Sequence, residues 1–169
     1  MHARRLHGFA LILTMGERQL AARASTQALT EAIRILPELR HPERAAAWLR
    51  HIVLNAVRKA RPGTGLSSAE RSRALTELGI GLTAMVGLEA LSVLERAALV
   101  ASDVERLSPL DVERVVGRSR NATRLLVQSA RRRFVAVATK QVDLLDPAGP
   151  VSRRIEEVAT RTVGPGLAR

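Results

Sequence analysis

The chain has 169 residues, a formal net charge of +11 and no cysteine. That length suits one domain or two small ones, the lack of thiols excludes a disulfide framework or a thiolate metal site, and the charge favours a polyanionic partner, either nucleic acid or an anionic membrane surface. Hydrophobic residues make up 46% of the chain, but they include only two phenylalanines and one tryptophan, so the core must be built from Leu, Val, Ile and Ala.

Residues 1–60 carry an excess of basic over acidic side chains and read as three helices. Over residues 3–15, Leu6, Phe9 and Leu13 share one face. Over 17–36, Leu20, Ala24, Ala28, Ala32 and Ile35 do the same, and Pro37 stops the helix. The third helix, over 42–60, opens on Pro42 and Glu43 and places Ala45, Trp48, Leu49, Ile52 and Ala56 along one stripe. Trp48 lies on that apolar stripe and reads as core. His51, Asn55, Arg58 and Lys59 fall on an outward polar arc that can hold an unpaired DNA strand or simply be solvated.

Arg61–Ser68, RPGTGLSS, is the clearest break in the chain. A helix is predicted from Ala69 to Val86, with Leu75, Leu78, Leu82 and Met85 aligned, although Gly79 and Gly81 each weaken it by about 1 kcal/mol. The division that follows is a first domain over 1–60, a linker with a helix over 61–87, a second domain over 88–143 and a tail over 144–169. Asp146–Pro150, DPAGP, breaks the chain again, and Ile155, Val158 and Ala159 give the tail a short amphipathic pattern.

The second domain is the most informative part. Ser108 can cap a short helix that starts on Pro109, and Asp111 completes the capping signature. Val112, Val115 and Val116 form its apolar face, and Gly117 ends it. Ser119 or Asn121 caps a long helix whose inner face carries Leu126, Ala130, Phe134 and Val137. Arg118 and Arg120 flank its start, and Arg124, Gln128, Arg131 and Arg132 lie on its other face. A short helix, a glycine turn and a basic helix are the parts of a helix-turn-helix, and arginine and glutamine donate well to phosphates and base edges.

Other chemistry has little support. His2, His7, His41 and His51 lack metalloprotease context, so no metal site is expected. Wholly apolar runs such as Phe9–Leu13 reach only five residues, too short to span a bilayer, and no export-type segment follows the Arg-Arg pair before Phe9. A cytoplasmic protein without a membrane partner is expected. No nucleophile–base set or phosphate-cradling glycine loop appears, so neither an enzyme nor a cofactor is expected.

Two helical modules in this order resemble the bacterial extracytoplasmic-function sigma factors. His41–Pro62 resembles that family's promoter-recognition helix, its W-L-x-x-I-x-x-N pattern standing as Trp48, Leu49, Ile52 and Asn55. Glu89–Phe134 resembles the second domain, with Leu91, Glu95 and Arg96 standing for L-x-x-x-E-R, and Ala130, Arg131 and Phe134 for the closing A-R-x-x-L/F. The likeness covers roughly residues 5–140. It implies an all-α fold of two small helical domains joined by a linker, the second a helix-turn-helix. It also implies a dissociable subunit of core RNA polymerase that recognises promoter DNA, with an anti-sigma factor as a further partner. The resemblance places Ala22, Arg23 and Thr26 toward polymerase, Ser119 and Thr123 among the DNA-contacting residues, and a flipped base at Pro37–His41. The chain departs from the family pattern in the second helix, where Ala22, Arg23 and Thr26 stand for an acidic pair and a glutamine, and in the recognition helix, where Asn121, Ala122, Thr123, Arg124, Leu125 and Leu126 stand for a G-T-V-x-S-R segment. Arg23 stands where an acid is expected, and Ser129 replaces the first arginine of R-A-R. The alternatives are a sigma-derived DNA-binding regulator that does not engage polymerase productively and a helical interaction protein whose arginines only solubilise it.

Overall fold

The structure, a computed structural model, describes residues 2–35, 41–60 and 67–145. Every regular element in them is helical: α1 (His2–Leu13), α2 (Arg18–Ile35), a 3₁₀ turn (Pro42–Arg44) leading into α3 (Ala45–Lys59), α4 (Ser68–Thr76), α5 (Leu82–Glu89), α6 (Val93–Leu99), a π turn (Val100–Val104), α7 (Pro109–Val116) and α8 (Arg120–Leu145). There is no strand among the described residues. None of these helices is long and apolar enough to cross a membrane. The linker residues 61–66, the loop 36–40 and the predicted tail helix lie outside the described residues.

Small side chains determine the packing of the first three helices. Ala21, Ala24, Ala28 and Ala32 turn the inner face of α2 toward Leu6, Phe9 and Leu13 of α1 and toward Val53, Leu54 and Val57 of α3, and all of them are buried. Alanine contact faces let helix axes approach closely, so a core poor in aromatics still closes. The same apolar cluster continues through Ala97, Ala98, Val100 and Ala101 to Val112, Val115 and Val116 of α7 and Val127 of α8. It therefore includes residues from both sides of the predicted linker, because α7 lays its valine face on α3 as well as on α6.

The helix expected over 69–86 is two helices. Ile80 N–H donates to Leu75 O at 3.1 Å and Gly79 N–H to Thr76 O at 2.8 Å, closing α4 with Gly79 in the left-handed region at φ 81°. That closure satisfies the terminal carbonyls of α4, which helical propensity alone does not anticipate. The start of α4 is a full capping box: the Ser67 hydroxyl accepts from Glu70 N–H and the Glu70 carboxylate accepts from Ser67 N–H.

A second apolar cluster, Leu88, Leu91, Leu99 and Ala130, with Phe134 packed on it, fixes α8 against α5 and α6. Along α8 the buried positions are Thr123, Val127, Ala130, Ala138 and Val142. The inner face is thus rotated slightly from the expected Leu126–Val137 stripe, because both α5 and α6 pack against the helix. Glu95 of α6 is buried, caps its own helix through Ser92 and accepts from Arg133 at 3.1 Å. Burial is the strongest single influence on its carboxyl and opposes ionisation. The Ser92 N–H, the Ser92 hydroxyl and the Arg133 guanidinium together outweigh it and hold the pKa below the usual carboxylate value.

Two outcomes follow. A Cβ at Gly87 would sit 2.7 Å from the Phe134 ring, whereas one at Gly8 would make ordinary contact with Leu78 at 3.8 Å. Gly87→Ala is expected to lower stability by about 1 kcal/mol or more and Gly8→Ala to raise it by up to ~1 kcal/mol, both measured by urea unfolding. Since the Glu95 carboxyl is depressed in the folded state, its contribution is complete above its unfolded pKa and is lost as pH falls through the folded one. The stability gap between wild type and Glu95→Gln at neutral pH should therefore close in acid, and a gap independent of pH would refute this account of Glu95.

Candidate nucleic-acid interface

The turn before α8 is built as its sequence suggests. Ser108 accepts from Asp111 N–H at 3.2 Å, Pro109 occupies the first turn of α7, and Gly117 ends that helix with φ 66°. Gly117 and Arg118 N–H both donate to Glu113 O, at 2.9 and 3.3 Å. Ser119 then starts α8: its hydroxyl accepts from Ala122 N–H at 3.4 Å and its carbonyl from Thr123 N–H at 2.8 Å. Asn121 does not cap the helix; its side chain accepts from Arg124 at 3.0 Å.

The predicted DNA-contacting residues of this region separate into two groups. Arg118, Ser119, Arg120, Arg124, Gln128 and Arg132 are exposed. Arg120 is 81% exposed and only loosely paired with Glu113, at 3.3 Å. Arg118, Arg124 and Arg132 form no ion pair among the described residues. Thr123 and Arg131 differ. Thr123 is buried, and its hydroxyl donates to Arg118 O at 3.4 Å, so it shapes the turn rather than facing solvent. Arg131 is half-buried, and its Nε and Nη2 donate to the two oxygens of Asp103 at 2.8 and 2.5 Å. The hydrogen bond to Asp103 raises its pKa further. Arg131 thus ties α8 to the π turn.

The outward arc expected on α3 is only partly outward. Arg58 and Lys59 are exposed in its last turn, but His51 and Asn55 are half-buried against α7. His51 Nδ1–H donates to Val115 O at 3.0 Å, and its Nε2 accepts from Asn55 Nδ2 at 2.9 Å. Trp48 packs on the core at the edge of the same junction. Periodicity places these residues on a polar arc of the isolated helix; α7 then covers part of that arc.

Sequence reading missed the acids that organise this region. Glu105, just after the π turn, accepts from Arg50 of α3 through both Nε and Nη2, the latter at 2.6 Å. The two side chains are 7% and 16% exposed, and Arg50 also donates to Ala46 O at 2.7 Å and stands over the Phe9 ring. No short-range pattern reveals a pairing across fifty-five positions. On α2, Ala22, Arg23 and Thr26 are exposed and line a shallow groove with Gln27, Thr30 and Glu31. No group of three or more metal-ligating side chains occurs among the described residues. No family model, curated protein or solved structure matches the chain.

Removing one member of a buried ion pair strands the other charge. Glu105→Ala is expected to cost about 3–5 kcal/mol, whereas Arg50→Met with Glu105→Leu should recover much of that loss. Equal stability of the single and double variants, measured by denaturant unfolding, would show that the pair is not organising this core.

Proposed function

We propose that the chain is a transcription-initiation protein of the extracytoplasmic-function sigma type, with two helical units of which the second is a helix-turn-helix reading promoter DNA. The observation that carries this reading is the sorting of arginines along α8. Arg131, half-buried, and Arg133, whose exposed side chain reaches back to the core, are matched by Asp103 and Glu95, while Arg118, Arg124 and Arg132 are exposed and form no ion pair among the described residues. A helix that only needed solubility has no reason to leave its positive charge concentrated around a capped turn. Arg120 and Arg124 lie in the first turns of α8, the part of such a helix that enters the groove most deeply. Polymerase binding is proposed for the α2 face that carries Ala22, Arg23 and Thr26. Catalysis would belong to the polymerase, and the site of action would be the cytoplasm.

A second reading, a DNA-binding regulator without productive polymerase engagement, is favoured by Arg23, which presents a base where the resembling family presents an acid.

Alanine at Arg120 and Arg124, followed by fluorescence anisotropy over a salt series, tests DNA reading. A base contact should contribute about 1–3 kcal/mol of discrimination between selected and random duplexes, whereas a phosphate contact should weaken both alike and reduce the salt slope. Unchanged affinity on both would reduce the arginine face to solvation. Pull-down with purified core RNA polymerase and transcription from selected promoters separates the two roles: binding with transcription supports initiation, binding without it supports the regulator, and no binding removes the initiation role.

A further inference from the structure

Where α3 meets α7 a hollow of about 500 Å³ opens to solvent, lined by Trp48, His51, Leu110, Glu113, Arg114, Gly117 and Arg118. It brings together three features that neither helix has alone. Trp48, the single tryptophan of the chain, supplies an aromatic wall and is only half-buried. Its neighbour His51 is held by Val115 O and Asn55, so the imidazole is a fixed second wall. Arg114 and Arg118 stand exposed at the rim with no ion pair among the described residues. The one acid present, Glu113, is already partly offset by Arg120 at 3.3 Å. Gly117 keeps the floor open, since a Cβ there would come within 3.0 Å of the His51 ring.

The geometry points to a binding site for one unpaired nucleotide, with the base entering beside Trp48 and His51 and the phosphate held by Arg114 and Arg118. Aromatic stacking accepts any base, and guanidinium groups at a rim suit a phosphate, so the hollow selects a flat ring joined to an anion. A paired base presents no free face to it. The site shares Arg118 with the proposed duplex-reading surface, but Trp48, His51 and Arg114 belong to it alone. It ties α3 and the turn before α8 to one ligand, because each contributes one half of the recognition.

Trp48 is also the reporter, since its fluorescence can be read without a mutation. Oligothymidylate is expected to quench it saturably, thymidine monophosphate to quench it at higher concentration, and inorganic phosphate or a fully paired duplex to leave it unchanged. Arg114→Gln, an exposed position, should weaken oligothymidylate binding about tenfold, while Arg73→Gln on α4 should not. Quenching by thymidine monophosphate but not by oligothymidylate assigns the site to a free nucleotide. The site is overturned if neither quenches, if duplex quenches as strongly as single strand, or if Arg114→Gln binds like wild type. Duplex binding measured in parallel by anisotropy keeps the readings apart. Duplex affinity without any quenching removes the hollow alone, and quenching without duplex affinity removes the α8 reading alone.

Discussion

Arg50 is the interaction on which the arrangement of helices turns. It sits in the middle of α3, stands over Phe9 of α1, satisfies Ala46 of its own helix and clasps Glu105 beyond the π turn. A charge this deeply placed is tolerable only if it is paired, and the bidentate carboxylate together with the carbonyl gives each of its three nitrogens an acceptor. The valines of α7 could slide along α3 with small loss, because apolar contact is non-directional. The guanidinium fork cannot, so it fixes the register of the second half of the chain on the first.

The same logic governs charge on α8. Arg131 and Arg133 meet acids from the π turn and α6, which lets a strongly basic helix lie against a core without self-repulsion. Arg118, Arg124 and Arg132 are left to the solvent. Exposed, unpaired arginines beside a capped turn are the kind of charge that steers a polyanion.

Much of the fold was legible locally. The bounds of α1, α2, α3 and α7 follow from apolar periodicity, Pro42, Pro109, the Ser108 cap and Gly117, all of which act within a few residues. The helix expected over 69–86 failed because periodicity carries across a break as easily as through a helix, and only the backbone closure at Gly79 reveals it. The site was legible in part. Exposure of Arg118, Arg120 and Arg124 follows from helix phase, but the burial of Thr123 and the partial cover over His51 and Asn55 depend on which helix packs where. The pairs Arg50–Glu105 and Arg131–Asp103 join residues far apart in sequence, and no window on the chain contains both partners.

The π turn at Val100–Val104 gives the chain a phase shift. A π turn carries one residue more than the α-helical pitch allows, so the side chains within it and at its end are displaced around the axis. Asp103 and Glu105, two positions apart, are thereby presented to α8 on one side and α3 on the other. The extra residue works as a vernier between two helices. With one residue fewer in this segment, Asp103 and Glu105 would no longer both meet the arginines they pair with, so its spacing matters to the two pairs as much as its composition.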